Sequence, residues 1–491
     1  MGEHILVIDE GTTSTRAVVF TAAGRIAAEA AQPLKQSFPR PGWVEHDAEQ
    51  IWTDTKACIE AVTTSIGVAN IHCIGITNQR ETVVFWDRRS GRPLAPAIVW
   101  QDRRTAALCA ELKKAGHEPK IQARTGLLLD PYFTGTKISW ALDNWPEVRA
   151  AANAGSLCVG TVDTYLRYRL SAGDIFETDA TNASRTLLMD LTKASWSPEL
   201  CSLLGVPEDL LPSIGHCAGL LGEARLGDMM VPITGAAGDQ HAAAVGQGCL
   251  VAGEVKATYG TGAFLIANAG SQPAISKHKL LSTLAWKLRD QTVYALEGSI
   301  FVAGSAVQWL RDSLGLIESA AETESLARSM PDCDGVVFVP AFAGLGAPYW
   351  EPEARGVISG LTGGVKKAHI VRACLEAMAN QTADVLDAMA ADGIDPSILK
   401  IDGGMVRNDW LCQDLADTLN IEVERPEIIE TTALGAAMLA GVGSGLFASL
   451  EDAVANMRHV ERRFAPQASQ ATRDERRASW KKAVAQVKAG L

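Results

Sequence analysis

The sequence of 491 residues predicts a layered α/β protein built from two similar halves. Strand-like and helix-like segments alternate along the chain, which argues against a helical bundle or an all-β sandwich. The opening HILVIDEGTTSTRAVVFT reads as strand, Gly/Thr turn and strand, and GEVKATYGTGAFLIANAG repeats that text about 250 residues later. Each passage is followed by further α/β text. No short fixed period of the solenoid kind is present.

The elements follow in order. HILVID is an apolar run ending in an acid, EGTTSTR is a turn of small residues, and AVVFTAAGRIAAEA resumes as strand, turn and strand. Residues 47–66 carry helical apolar spacing behind Asp47, a natural N-cap. IHCIGITNQ and ETVVFWD read as strands. In the second half, 366–392 reads as a long helix, KIDGGM as strand and turn, and 431–445 as an Ala/Gly-rich helix. The tail, 451–491, reads as helical with mixed charge.

Composition bounds the function. Hydrophobic residues make up 47% and charged residues 21%, as in a globular protein with sizeable cores. Lys and Arg number 45 against 57 Asp and Glu, a net charge of −12. An acidic chain argues against nucleic acid as a partner, although backbone amides or a metal can still neutralise a small anionic ligand. The ten cysteines are scattered, with no C-x-x-C pair and no His cluster at metal-ligand spacing. They are expected to be buried reduced thiols, and the chain to be cytoplasmic. The apolar run Ile5–Ile8 near the N-terminus is too short for a signal sequence, and no segment is long and apolar enough to span a membrane.

Five motifs carry chemistry. Asp9-Glu10-Gly11-Thr12-Thr13-Ser14-Thr15-Arg16 closes a strand with a turn free of bulk, so backbone N–H groups and hydroxyls can converge on a phosphate. Asp9 could hold a hydrated Mg2+. Alone, the turn is also ordinary hairpin chemistry. The second such turn, Gly260-Thr261-Gly262, makes paired phosphate hairpins facing one cleft the better reading. Walker, G-x-G-x-x-G and protein-kinase signatures are absent. Gly238-Asp239-Gln240-His241 joins a strand to a helix of small residues; Asp239 is placed either as a general base or as a helix cap. Asn78-Gln79-Arg80-Glu81 offers a forked donor beside a two-oxygen acceptor, suited to vicinal hydroxyls, although a surface ion pair is the commoner use of such a pair. Trp100, Tyr132 and Phe264 are candidate apolar walls or core residues. Asp402-Gly403-Gly404-Met405-Val406-Arg407-Asn408 ends a strand in a bare turn that could admit a purine or ribose, or serve only as a connection.

Together these motifs resemble the FGGY family of carbohydrate kinases from about residue 5 to residue 450. The resemblance is carried by DEGTTSTR, PGWVEHD, GITNQRETVVFWD, IVWQDRRT, DPYFTGTKISW, GTVDTYL, TDATNASRTLL, GAAGDQHAA, YGTGAF, ALEGSIFVAGSAVQWLRD, PAFAGLGAPYW, DGGMVRND and TALGAA. It implies two actin-like (ribonuclease H-like) domains flanking an interdomain catalytic cleft: residues 3–246 for polyol and phosphate hairpin, 255–445 for nucleotide, then the tail 446–491. It implies ATP and Mg2+ as cofactors and glycerol as acceptor, with NQRE as the glycerol-reading strand; xylulose and gluconate relatives carry other residues there. By the same resemblance, Arg80, Glu81, Tyr132, Asp239 and Gln240 hold the acceptor hydroxyls, and Trp100 and Phe264 pack on its carbons. Thr12, Thr13, Ser14, Arg16, Thr261, Gly304, Gln308, Gly404 and Asn408 contact ATP. Asp239 is the general base and, with Asp9, places the metal. A homodimer or homotetramer is the family habit. The alternatives are a longer polyol such as erythritol, or an actin-like ATPase without polyol transfer.

Three departures stand out. Glu10 replaces the Gln expected there, and adds a negative charge next to the phosphate turn. Met405 replaces a small residue after the paired glycines. GEARLGDMMVPITG lacks the glycine-rich, arginine-containing loop that binds fructose 1,6-bisphosphate in some members, so no such inhibition is expected.

Overall fold

The computed structural model describes residues 3–490. Each half is organised on a mixed sheet with the same core order. In the first, His4–Glu10 pairs antiparallel with Ser14–Thr21, which pairs antiparallel with Ile26–Pro33. On its other side His4–Glu10 is parallel to Ile71–Asn78, which is parallel to Met229–Gly238. In the second, Glu254–Tyr259, Ala263–Gly270 and Thr292–Ile300 form the antiparallel run, and Ile398–Asp402 and Glu422–Pro426 the parallel one. The paired Gly/Thr hairpins therefore occupy equivalent positions in two copies of one topology.

Local chemistry explains the boundaries. Helix Ala48–Ile66 is capped by Asp47, whose carboxylate accepts from the backbone of Glu49 and Gln50. Helix Lys367–Ala391 is sheathed in the second core together with Leu399, Ile401 and Leu415. The tail is not wholly helical: between helices Leu450–Met457 and Gln470–Ala489, strand Val460–Phe464 adds to the second sheet beside Glu422–Pro426. Its alternation is masked in sequence because VERRF keeps only Phe464 buried.

The halves are joined by helix Thr431–Gly443, which packs on helix Asp239–Gly246 and the first sheet. Only small residues allow this approach. A Cβ added at Gly435 would lie 1.7 Å from the Ala242 carbonyl oxygen, and one at Gly246 would lie 2.1 Å from that of Thr431. The seam is an apolar core of its own, with Ile5, Val7 and Ala242 meeting Leu434, Leu439 and Trp286.

A further four-stranded sheet orders the segments between the first-half strands: Glu45–His46, Ala97–Ile98, Val83–Asp87 and Leu157–Thr161. Arg104 locks the segments around it. It pairs with Asp102 and Glu45 and stacks 3.9 Å from the Trp43 ring centroid, while Asp102 accepts from the backbone of Val44 at 2.6 Å. This cluster is a stiff base for Trp100, two residues away. All ten cysteines are buried and unbridged. Among the described residues no helix is long and apolar enough to cross a membrane.

Candidate active site

Two strand ends of the first sheet set the site. Ile71–Asn78 delivers Arg80 and Glu81, and the adjacent Met229–Gly238 delivers Asp239 as the first residue of its helix. The cap of that helix is Gly238, and the backbone N–H that Asp239 Oδ1 accepts from is that of the next residue, Gln240, at 2.6 Å. Asp239 is therefore not the cap, and its side chain stays about a third exposed. Burial raises its carboxyl above the usual range, opposed by Arg80 and Lys256, with Asp9 raising it further.

Arg80 and Glu81 are both buried, at 3% and 1% exposure, which excludes a surface ion pair. Nor do they pair with each other in the side-chain contacts. Arg80 Nε lies 3.2 Å from Asp239 Oδ1, and its Nη1 pairs closely with Glu297. Glu81 Oε1 instead accepts from Arg185 Nε at 2.6 Å. Glu81 sits in the left-handed backbone region at φ 61°, a conformation that costs a non-glycine residue about 1 kcal/mol or more. Its carbonyl accepts from Lys137 Nζ and Thr134 Oγ1, both at 3.2 Å, which hold it there. Burial pushes Lys137 down to about 7.

Trp100 and Tyr132 meet edge to face, ring centroids 5.6 Å apart, as an aromatic corner beside this network. Phe264 lies on the opposite strand face to the core residues Ala263 and Leu265, and on the face of Ile266, which belongs to the seam between the halves. Gln240 Oε1 accepts from the buried Lys256 Nζ at 2.6 Å.

The first Gly/Thr turn folds on itself. Gly11 N–H donates to the Ser14 carbonyl at 2.9 Å, the Thr13 carbonyl accepts from Leu34, and Thr12 Oγ1 accepts from Trp100. Arg16 is engaged at both ends, with Asp9 Oδ2 at 2.6 Å and Glu430 at 2.8 Å. Strand alternation separates the two acids. Asp9 shares the face of Ile5 and Val7, toward the seam. Glu10 shares that of Leu6 and Ile8, beneath helix Ala48–Ile66. There Glu10 accepts from Thr15 Oγ1 at 2.9 Å, and burial raises its carboxyl well above 4.5. The substitution expected to charge the phosphate turn thus faces away from it.

In the second half, Thr261 is exposed, and its carbonyl accepts from Ala303 and Ser305, binding the hairpin to helix Gly304–Asp312. Gly304 donates to the Gly260 carbonyl at 2.9 Å, and Gln308 follows one turn along, exposed. Gly403, at φ 91°, lies against Tyr259, whereas Gly404 faces open space. Met405 packs between Gly304 and the second core. Asn408 caps helix Asp409–Leu419 through Oδ1 and donates to Thr323, so its side chain is occupied within the fold.

Among the described residues, no group of three or more His, Cys, Asp and Glu gathers as a metal cage. Asp9 pairs with Arg16 through Oδ2, and Asp9 and Asp239 influence each other electrostatically. Two carboxylates without a cage fit a hydrated cation brought in with phosphate. Sequence reading assigned no role to Arg185, Glu297 or Lys256, all buried in this network; TDATNASRTLL, ALEGSIF and GEVKATY contain them, but only the fold shows that they converge. A pocket of about 690 Å³ lies elsewhere, between segments 35–50 and 92–96, and none of the predicted site residues lines it.

Comparison with known proteins fits this geometry. The model for the FGGY family of carbohydrate kinases, N-terminal domain, matches residues 4–246, and that for the C-terminal domain matches 255–444. A protein of Rhodospirillum rubrum named glycerol kinase is 54% identical, with 99% of each chain covered. Glycerol kinase 1 of Pseudomonas aeruginosa is 51% identical over the same shares. The crystal structure of Plasmodium falciparum glycerol kinase with ADP superposes with a TM-score of 0.94 at 36% identity, covering 99% of this chain and 98% of that one. With its two actin-like (ribonuclease H-like) halves and both family domains in place, the chain belongs to the FGGY family of carbohydrate kinases.

Proposed function

We propose that the chain transfers the γ-phosphoryl group of ATP to a terminal hydroxyl of glycerol, giving sn-glycerol 3-phosphate and ADP. The observation that carries this reading is the placement of Asp239. It is a partly exposed carboxylate at a strand end, 3.2 Å from Arg80, and it feels the charges of Asp9 at the first Gly/Thr turn and of Lys256 in the strand leading to the second. Full-length relatives named glycerol kinase support the choice of acceptor.

In this mechanism Arg80, Glu81 and Tyr132 bind the hydroxyls, Gln240 lies beside them, and Trp100 and Phe264 cover the carbons. Asp239 takes the proton of the attacking hydroxyl late, in a loose transition state, so its position matters more than its basicity. Its raised carboxyl brings it nearer to the pH at which a base works best. Thr12, Thr13, Ser14, Thr261 and Gly404 line the approach of the phosphates and nucleotide, with Arg16, Gly304, Gln308 and Asn408 framing it. Asp9 and Asp239 would hold Mg2+, which when bound neutralises phosphate charge. Closing the halves over the site keeps water from replacing the acceptor. The buried free thiols support a reducing, cytoplasmic setting.

The test is ADP release with MgATP against glycerol, erythritol, xylitol, xylulose and no acceptor. Glycerol well above the others is the expected result. Another polyol in the lead would overturn the acceptor, and release without any acceptor would overturn phosphoryl transfer to a polyol.

A further inference from the structure

We infer that Glu297, a residue of the second half, is a positioning residue for the acceptor pocket of the first half: it fixes Arg80 and Arg185, and through them Asp239 and Glu81. The inference rests on the acceptor site proposed above. Glu297 lies in strand Thr292–Ile300 on the same face as Val293 and Ala295, which belong to the seam, while Leu296 and Ile300 point into the second core. Its carboxylate thus crosses to the first half.

The two oxygens are divided between two arginines. Oε1 pairs closely with Arg80 Nη1 and lies 3.5 Å from His241 Nε2; Oε2 lies 3.4 Å from Arg185 Nη1. Burial keeps His241 neutral, so it adds no cation. Arg80, Arg185, Glu81 and Glu297, all within 3% exposure, then form a buried set of two positive and two negative charges. A buried charge that loses its partner is costly. In this set each arginine also reaches an acceptor-facing carboxylate, Arg80 to Asp239 and Arg185 to Glu81.

Two anchors fix the plane of a guanidinium where one does not. With Glu297 present, Arg80 is held by Nη1 and only its Nε side meets Asp239. Without it, the free end of Arg80 can turn onto Asp239 as a forked pair and withdraw both groups from the acceptor. Because Glu297 belongs to the other half, the acceptor pocket is complete only when the halves are seated together.

The test compares Glu297→Gln and Glu297→Asp with the wild-type full chain, measuring KM for acceptor, kcat, and ADP affinity by calorimetry. Glu297→Gln is expected to raise the glycerol KM about ten-fold or more with ADP affinity within about two-fold. Glu297→Asp keeps the charge but cannot span both arginines, and its KM is expected to fall between the two. A glycerol KM within about two-fold of wild type in Glu297→Gln overturns the inference, as does a parallel loss of ADP affinity, which marks general damage to the fold. Should Glu297→Gln not fold, a wild-type KM in Glu297→Asp overturns it. If the wild-type chain turns over another polyol and not glycerol, the acceptor assignment fails, and the same variant ratios measured on that polyol still decide the role of Glu297.

Discussion

The indole Nε1 of Trp100 donates to Thr12 Oγ1 at 2.9 Å, tying the proposed wall of the acceptor pocket to the turn that is proposed to receive phosphate. The backbone of Trp100 is fixed as well, its N–H donating to Thr82 Oγ1 at 3.1 Å, and Thr82 in turn donates to Gln79. The proposed acceptor and donor sites therefore share one hydrogen-bonded frame. Trp100→Phe keeps the aromatic face and removes the bond to Thr12. A net hydrogen bond is worth about 1 kcal/mol, so KM for glycerol and for ATP should each rise by about two- to ten-fold. Steady-state kinetics with both substrates varied checks this; a change in glycerol KM alone would show that the bond does not couple the sites.

Arg80→Ala removes the partner of both Asp239 and Glu297. Polyol affinity should fall by at least about a hundred-fold, because a hydroxyl goes unread and both the buried Glu297 and the partly exposed Asp239 lose their cation. ADP affinity should change little. An unchanged glycerol KM would refute the reading of the NQRE strand.

Glu10 gives a pH prediction. Burial raises its carboxyl well above 4.5, so the folded chain holds the proton more tightly than the unfolded chain. Its stabilising share is then fully present below its unfolded value of about 4.5 and is lost as pH rises through the folded value. Glu10→Gln cannot ionise. Its Tm relative to wild type should therefore be near zero at about pH 4.5 and become increasingly positive toward about pH 8, with ATP KM unchanged. A Tm difference that does not vary with pH would contradict burial as the cause.

Two glycines with opposite surroundings separate packing from binding. Gly435→Ala drives a methyl against the Ala242 carbonyl, where neither helix can yield, and should lower stability by about 1–3 kcal/mol or more. Gly404→Ala meets no protein atom within 4 Å and should leave Tm unchanged while raising ATP KM, because the methyl enters the path proposed for the nucleotide. Thermal unfolding and kinetics on the pair check both halves of this expectation.

The repeated halves were readable because a strand–turn–strand with small residues is a local signal, and both copies kept it. Asp47 as a cap was readable for the same reason. The strand Val460–Phe464 was hidden because its burial comes from one residue, Phe464, at a sheet edge. In the site, Arg80, Glu81 and Asp239 stood out as residue types in unusual local patterns. Arg185, Glu297 and Lys256 did not, since each sits in an ordinary strand or turn and acquires its role from partners 16 to 217 positions away. The orientation of Glu10 also followed only once its strand was placed between two cores.

The most direct measurement is turnover and glycerol binding in Asp239→Asn. The variant keeps the size of the side chain and its contact with Arg80 but cannot accept the proton. Turnover should fall by about 10² to 10⁴, the usual worth of a general base, while glycerol affinity stays within a few-fold. Near-normal turnover would contradict the account and leave Asp239 as a residue that only orients Arg80.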